Sequence, residues 1–264
     1  MRWNAERYET WFDSTEGHVA LNREALLLET MLKAWPRRGK RVLDIGCGTG
    51  IFLEKLWGMG FDVTGLDKSP SMLEGARKRL RGRATLHVGD GTHTPYDDNA
   101  FDYAVIWSVL EFCARPEALL EEATRVAEKG ILIGFLNRFS LYYFLNVRRS
   151  TGTMSNASLL NPLQVSGMAR RATQRAPSLS RSVLPGPLST WKEGRFWGRI
   201  NDRVYPSWVG AFSAMRIDFG KQKPLTPLLL WKSDAKAMKE PRCETGAACR
   251  KQAGETLQIK TRKN

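Results

Sequence analysis

The segment VLDIGCGTG, residues 42–50, constrains the fold of this chain more than any other segment. An apolar run ends there in a turn with glycines at positions 46, 48 and 50. Glycine adopts positive φ without strain and lets a ligand approach the backbone closely. A glycine turn between a strand and a helix is typical of open α/β sheets, which bind ligands beyond the carboxyl ends of their strands. The G-x-G-x-G spacing differs from the G-x-G-x-x-G of dinucleotide sites, so it disfavours a nicotinamide or flavin cofactor.

Apolar runs and helical segments alternate along the first half of the chain. Besides residues 41–45, strands are predicted at 61–67, 84–90, 101–108 and 130–137. Helices are predicted at 19–34, 51–60, 69–80 and 116–128. Strands that alternate with helices pair in parallel, because each helix carries the chain back across the sheet. We therefore predict an α/β fold with a doubly wound, Rossmann-like and mostly parallel sheet.

The alternation ends after residue 137, and the rest of the chain is predicted to be organised differently. We predict four parts: a ligand-binding core with a helical N-terminal lead-in at 1–137, a cap or insertion at 138–208, closing strands at 209–234 and a disordered basic tail at 235–264. Within the cap, RFSLYYFLNVRR (138–149) is predicted to form an amphipathic helix with a basic end. Residues 150–190, rich in Ser, Arg and Pro, are predicted to form a loop or mobile cap. The closing strands are predicted at 209–220 and 226–234.

Three aspartates end three successive predicted strands: Asp44, Asp67 and Asp90. The carboxyl ends of parallel strands meet at one edge of a sheet, so these carboxylates are expected to surround one ligand. A carboxylate after the second strand reaches the hydroxyls of a ribose. A carboxylate beside the glycine turn attracts an ammonium group and repels a pyrophosphate. A ligand with a nucleoside, an ammonium group and no phosphate fits this set, and that description matches S-adenosylmethionine.

These motifs resemble those of class I S-adenosylmethionine-dependent methyltransferases, in the broad group that includes the ubiquinone and menaquinone C-methyltransferases. VLDIGCGTG is similar to the family's first motif, VTGLDKSPSMLEGARKRL to its second strand and helix, and GDGTHTPYDDNAFDYAVIWSVLEF to the stretch with its third and fourth strands. The resemblance covers about residues 40–137, and residues 11–32 resemble the helical lead-in of a bacterial subset. It implies a seven-stranded sheet whose last strand is antiparallel, and methyl transfer from S-adenosylmethionine.

The resemblance also implies which residues bind this cofactor. In chain order the three carboxylates would face the methionine amino group, the ribose hydroxyls and the adenine edge, with Lys68 and Met72 beside the adenine. The complete predicted set is Trp11, Asp44, Gly46, Cys47, Gly48, Gly50, Asp67, Lys68, Met72, Asp90, Gly91 and Ser108. Trp11 and Phe12 would close over the cofactor from the N-terminal helix. Cys47 is expected to be a small residue packed in the turn, not a nucleophile.

Candidates for the chemistry itself are fewer. Methyl transfer from a sulfonium depends mainly on proximity and orientation, and an oxygen or carbon nucleophile can also need a base. His93, in the loop after the third strand, is the best candidate base among the three histidines of the chain. The resemblance places Ser108 near the sulfonium, with Glu111 beside it. No metal site is predicted, because Cys243 and Cys249 have neither a nearby histidine nor the spacing of a zinc site.

Basic charge is concentrated in the second half of the chain. Residues 1–136 carry 18 Lys and Arg against 20 Asp and Glu, whereas the rest of the chain carries 23 against 7. This asymmetry suggests either an anionic partner or a basic tail. Aromatic residues interleave with arginines at 191–212, a mixture that can hold a planar, lipid-like or anionic molecule or can stack bases. We expect a small-molecule acceptor: a quinone precursor, a lipid-like acid or another secondary metabolite.

Two alternatives stay open. The first is an RNA or protein methyltransferase that uses the basic half. It ranks lower because no RNA-binding module and no N-P-P-Y-like tetrapeptide is recognisable. The second is a non-catalytic protein of the same fold that binds a partner or an anionic membrane through residues 138–149, a contact that could coexist with catalysis. The chain has no apolar run of about 18 residues and no signal-peptide pattern, so we predict a cytoplasmic protein without a transmembrane segment.

Overall fold

Seven strands form one sheet in the residues that the computed structural model describes, 5–148 and 157–220. They are β1 Arg41–Ile45, β2 Asp62–Asp67, β3 Thr85–Val88, β4 Phe101–Trp107, β5 Ala127–Leu136, β6 Leu179–Val183 and β7 Phe212–Asp218. Their order across the sheet is β3-β2-β1-β4-β5-β7-β6. Strands β1 to β5 pair in parallel, and β7 lies antiparallel between β5 and β6. The predicted doubly wound, mostly parallel sheet with an antiparallel last strand is confirmed.

Helices cover both faces of this sheet. Those in the described residues are α1 Ala5–Phe12, α2 Thr15–Leu32, α3 Ile51–Gly58, α4 Pro70–Leu80, α5 Pro116–Val126, α6 Pro162–Thr173 and α7 Arg195–Asn201. One buried cluster joins Leu27 of α2, Leu53 of α3 and Leu73 of α4 on one face. A second cluster joins Leu120 of α5 and Val165 of α6 on the other. Burial of both faces explains why the central strands β1 and β4 consist almost entirely of buried residues.

Helix α2 shows how the sequence defines a local element that later forms part of the site. Ser14 caps its N-terminus, because the Ser14 hydroxyl accepts a hydrogen bond from the Gly17 N–H at 3.0 Å. Its buried positions follow helical spacing: Gly17, Ala20, Glu24, Leu27, Leu28 and Met31. Glu24 is the only charged residue in that stripe, so the fold places a carboxylate on an otherwise apolar face.

The sheet order creates a crevice beside β1. The chain runs outward from β1 to β2 and β3, and then returns to place β4 on the other side of β1. The connections that follow β1 and β4 therefore leave in opposite directions, and the gap between them is where open α/β sheets bind ligands. The glycine turn and the ends of β2 and β4 therefore meet at this gap.

The second half of the chain is more regular than its sequence suggests. The loop or mobile cap predicted for 150–190 is wrong for two segments, since α6 and strand β6 lie within it. Asn161 and Gln164 form a reciprocal capping box at the start of α6, with Pro162 at its first position. Strand β6 has a polar sequence, LSRSV, and owes its conformation to pairing with β7. The strand predicted at 226–234 and the tail at 235–264 lie outside the described residues.

An amphipathic helix is predicted at 138–149, and the structure has a shorter helical segment there, at residues 141–147. The segment Tyr143–Val147 is π-helical, and Phe139, Phe144 and Leu145 are about half exposed or more. A contact between this segment and a membrane surface stays a prediction. Across residues 5–148 and 157–220, no helix is both long enough and apolar enough to span a bilayer.

Candidate functional site

A cavity of about 610 Å³ opens at the carboxyl ends of β1, β2 and β4. Its volume lies in the range of small-molecule and cofactor sites, roughly 300–1,000 Å³. Eleven of the twelve residues predicted to bind the cofactor line it: Trp11, Asp44, Gly46, Cys47, Gly48, Asp67, Lys68, Met72, Asp90, Gly91 and Ser108. The fold therefore brings together side chains that are up to 97 positions apart in the sequence.

The glycine turn between β1 and α3 forms the floor of the cavity. Gly46 has φ of +78°, and its N–H donates to the Leu66 carbonyl at 2.6 Å. Gly48 has φ of +55°, and no atom lies within 4 Å of where its Cβ would be. Gly50, the twelfth predicted residue, is the N-cap of α3 and faces Ala76, so its role is to pack α3 against α4. Two of the three glycines thus open the backbone to the cavity.

Asp67 joins the two loops that border the cavity. One oxygen of its carboxylate accepts the Gly48 N–H at 2.9 Å, and the other accepts the Ser69 N–H at 2.8 Å. Hydrogen bonds to a charged acceptor are about twice as strong as neutral ones. The carboxylate at the end of β2 is therefore held in one orientation by backbone donors on both sides.

Asp44 is a buried carboxylate at the end of β1. Only 2% of the residue is exposed, and no hydrogen-bond donor contacts its carboxylate within the described parts of the chain. Burial, together with the nearby charge of Asp67, raises its pKa to about 7. A cationic group in the cavity would supply the missing partner, as the sequence predicts for an ammonium group.

Asp90 begins the loop that follows β3. Its carboxylate accepts hydrogen bonds from the N–H and the hydroxyl of Thr92, both at 2.8 Å, and these bonds lower its pKa. Two residues further on, Thr94 donates its N–H at 2.7 Å and its hydroxyl at 2.6 Å to Glu122 of α5. Arg125 holds the other oxygen of Glu122 at 2.9 Å. Glu122 therefore anchors the loop that carries Asp90.

We expect Glu122→Gln to destabilise the protein by about 1.5–3 kcal/mol, the usual contribution of hydrogen bonds to a charged group. Hydrogen bonds from Arg125 and Thr94 lower the pKa of Glu122 from 4.5 to about 2. Because folding lowers this pKa, the ionised Glu122 carboxylate stabilises the folded protein fully above about pH 4.5. This stabilisation is lost as the pH falls toward 2. The difference in unfolding free energy between the two proteins should shrink in acid. Exposed Glu121→Gln is the matched control, and equal effects of the two variants would contradict the anchor.

Ser108 lies at the end of β4 in a strained conformation. Its φ is +57°, which a non-glycine residue rarely adopts, and its N–H donates to the Gly134 carbonyl at 2.9 Å. Strained backbone at a strand end persists where the surrounding structure enforces it, and is common at functional sites. The turn presents Ser108 to the cavity beside Gly46, in the position that the resemblance implies.

Two of the three predicted catalytic residues do not line the cavity, so these assignments are corrected. His93 is exposed, and its backbone N–H bonds the Asp90 carbonyl at 3.1 Å. Glu111 is 1% exposed and lies behind the wall, where its Oε1 accepts the Leu136 N–H. Burial raises the pKa of Glu111 to about 7, against the effect of that bond. Glu111 thus connects the turn after β4 to the end of β5. Ser108 is the predicted catalytic residue that lines the cavity.

The structure adds residues that the sequence does not single out. Five aromatic side chains also line the cavity, and together they are called the aromatic chamber: Phe52, Trp107, Tyr142, Trp191 and Phe212. Trp107 packs between Phe52 and Phe212, with ring centroids 5.4 Å and 5.1 Å apart, and Tyr142 packs on Trp191 at 4.7 Å.

One charged side chain enters this chamber. It is Glu24 of α2, and its only sequence signal is a carboxylate on the apolar face of an amphipathic helix. The aromatic and arginine-rich segment 191–212 contributes less than expected. Trp191 and Phe212 line the cavity, whereas Phe196 and Trp208 are 68% and 67% exposed.

Comparison with known proteins agrees with this geometry. Residues 43–134 match the family described as methyltransferase domain. The chain is 30% identical over 183 residues to the ubiquinone biosynthesis O-methyltransferase of Thiobacillus denitrificans, covering 64% of this chain and 79% of that protein. It is 34% identical over 139 residues to an uncharacterized protein of Methanocaldococcus jannaschii, covering 52% of this chain and 60% of that protein. The chain thus spans less than two thirds of the archaeal relative.

A solved structure shares the fold. The crystal structure of an S-adenosylmethionine-dependent methyltransferase from Thermotoga maritima, described as a possible histamine N-methyltransferase, superposes with a TM-score of 0.64. The two are 24% identical, and the match covers 81% of this chain and 95% of that one. The sheet order, the glycine turn and the match over most of the bacterial O-methyltransferase lead to one assignment. This chain belongs to the class I S-adenosylmethionine-dependent methyltransferases.

Proposed function

We propose that this protein transfers the methyl group of S-adenosylmethionine to a small-molecule acceptor. The observation that carries the proposal is that a single cavity contains both the strand-end aspartates and the aromatic chamber. The first part has the groups that a nucleoside with an ammonium group requires. The second part is apolar, with room for a planar acceptor next to the cofactor.

The strand-end residues fit the cofactor on their own chemistry. Asp44 is a buried carboxylate without a donor, and would hold the ammonium group of the methionine part. The Asp67 carboxylate is oriented by two backbone N–H groups, and would bind the ribose hydroxyls. Lys68 is the one cationic side chain on the described lining, so a pyrophosphate would meet mainly carboxylates. S-adenosylmethionine, when bound, supplies a methyl group made electrophilic by its sulfonium.

The chain's own contribution to the reaction is mainly positional. Gly46 and Ser108 line the same cavity as the strand-end aspartates and the aromatic chamber. Trp11 and Phe12 of α1 also line the cavity and would help to exclude water from it. Holding two reactants in line can contribute about 7–11 kcal/mol to lowering a barrier. Rigid aromatic walls hold a planar acceptor at little entropic cost, because each ring has only two rotatable bonds.

The cavity favours a small acceptor over RNA. Leu184 and Trp191, both in the predicted cap, line the cavity. The ionisable groups that line the cavity include four carboxylates, which would repel phosphates. The homology to a ubiquinone biosynthesis enzyme supports an aromatic acceptor of the quinone-precursor type. An RNA or protein acceptor that uses the basic half of the chain is the alternative with less support.

Calorimetric titration with S-adenosylmethionine and S-adenosylhomocysteine tests the proposal. Because the pKa of Asp44 is raised to about 7, the free protein must release a proton to bind an ammonium group at lower pH. We expect affinity to fall about tenfold between pH 8 and pH 6, as one coupled proton requires. Asp44→Asn should bind more weakly and with little pH dependence. A folded wild-type protein that binds neither compound would refute the proposed function.

A further inference from the structure

We propose that Glu24 is the base of this methyltransferase and selects an uncharged aromatic acceptor whose nucleophilic oxygen or nitrogen carries a hydrogen. The inference rests on the proposed function and deepens it, because it names the acceptor class and the residue that recognises it. It assigns the proton-accepting role to α2 and away from His93, which does not line the cavity.

The geometry of Glu24 leaves one oxygen available in the chamber. Trp107 Nε1 donates to Glu24 Oε2 at 3.1 Å, and this bond orients the carboxylate. No donor among the described residues bonds Oε1, although the residue is only 9% exposed and lines the cavity. This oxygen belongs to a buried residue and reaches the cavity without a protein donor, so it favours a ligand that donates a hydrogen bond. Trp107 directly precedes Ser108, and Glu24 and Ser108 line the same cavity.

Within the described parts of the chain, none of the groups that shift the pKa of Glu24 is a cation. Burial raises its pKa to about 8, the Trp107 bond opposes that shift, and Glu111 adds to it. Tyr142 is the other ionisable group that interacts with it, and burial and the charge of Glu24 both raise the tyrosine pKa. The remaining ionisable side chains on the described lining, Asp44, Cys47, Asp67, Lys68, Asp90 and Cys113, belong to the strand ends and their loops. A base whose pKa lies near the working pH is the effective kind.

The chamber and the carboxylate together define the acceptor. Its walls are aromatic rings that accommodate an apolar planar body. When Glu24 is ionised, a carboxylate acceptor would place a second negative charge beside it with no cation between them, so acids are disfavoured. A phenol or an arylamine donates its hydrogen to Glu24 Oε1 instead. In the reaction the acceptor atom bonds the methyl carbon as the carbon–sulfur bond breaks, and that bond's electrons stay on sulfur. The proton leaves the acceptor for Glu24 Oε1.

Binding of three matched probes tests the acceptor class. We would titrate 4-butylphenol, 4-butylaniline and 4-butylbenzoate into protein saturated with S-adenosylhomocysteine, at about pH 8.5, where Glu24 is ionised. The phenol or the aniline should bind at least about tenfold more tightly than the benzoate, because like charges repel strongly in a dry site. The better of the two identifies the acceptor atom. Benzoate binding as tight as the others, or no binding of any probe, overturns the inference.

The matched variant is Glu24→Gln, which keeps an oxygen for the Trp107 bond and removes the charge. Its preference against the benzoate should fall to about threefold or less. With a probe that is methylated, kcat should fall by about 10²–10⁴ while KM changes little, as expected for loss of a general base. The wild-type rate should rise with pH up to about 8, and the variant should lose that rise.

Controls separate this inference from the proposed function. Exposed Glu29→Gln on the same helix should behave as wild type in every assay. Glu24→Gln should bind S-adenosylhomocysteine as tightly as wild type does. If the cofactor binds and Glu24→Gln keeps the wild-type rate and pH profile, only the role of Glu24 is wrong. If the cofactor does not bind the wild-type protein, the proposed function fails as well.

Discussion

Asp67→Asn should weaken binding of S-adenosylmethionine about 100-fold. The substitution leaves one acceptor oxygen where the structure uses two, so an amide NH₂ must face the N–H of Gly48 or Ser69. Losing a hydrogen bond to a charged acceptor costs about 1.5–3 kcal/mol, and about 1.4 kcal/mol corresponds to a factor of ten. The lost ribose contact adds to the lost orientation. Isothermal calorimetry at a temperature where both proteins are folded measures the change.

Two further measurements make this prediction specific. Asp62→Asn, at the exposed start of the same strand, removes a carboxylate of the same type far from the cavity and should leave affinity unchanged. Because the Asp67 charge helps to raise the pKa of Asp44, Asp67→Asn should also move the pH dependence of binding toward lower pH. Wild-type affinity in Asp67→Asn would show that the carboxylate has no part in cofactor binding.

Gly46→Ala should have the largest effect on stability, about 2–5 kcal/mol. A residue with a Cβ at φ of +78° is strained, typically by about 1–2 kcal/mol. The added Cβ would also lie 2.5 Å from Val109 Cγ2, and overpacking of this kind costs about 1–3 kcal/mol. Val109 follows Ser108, so the strain acts on the two loops that carry Gly46 and Ser108, both of which line the cavity. Denaturant unfolding measures the loss, and cofactor affinity should fall with it.

A glycine series separates strain from steric conflict. Gly48→Ala has the positive φ but open space around the new Cβ, so it should cost only the strain, about 1–2 kcal/mol. Gly58→Ala, at the end of α3, has open space and no positive φ. It should be neutral or stabilising by up to about 1 kcal/mol, since alanine is the better helix former. If all three variants unfold alike, the contact between Gly46 and Val109 does not constrain the turn.

Much of the fold and the cofactor side of the site can be predicted from local sequence, for a physical reason. Parallel strands must end at the same edge of a sheet, so acidic residues at the ends of β1, β2 and β3 converge whatever the details of packing. The glycine spacing follows directly from the positive φ that the turn requires at Gly46, Gly48 and Gly50. Each glycine or aspartate is recognised from the few residues around it, and no distant contact is needed to interpret it.

The rest was decided by contacts between distant segments. Strand β6 has no strong pattern of its own and exists because β7 offers an edge. The sequence predicts Glu111 as an active-site residue. In the structure β4 pairs with β5, and the Glu111 carboxylate accepts the Leu136 N–H behind the cavity wall. Glu24 appears in sequence as a charged residue on an apolar helix face. Only the tertiary packing of α2, which lies against β6 and β7, places that carboxylate within hydrogen-bond distance of Trp107, 83 positions further along the chain. Local sequence therefore specifies the sheet and the edge where its carboxylates meet, whereas contacts between distant segments specify which side chains can meet an acceptor.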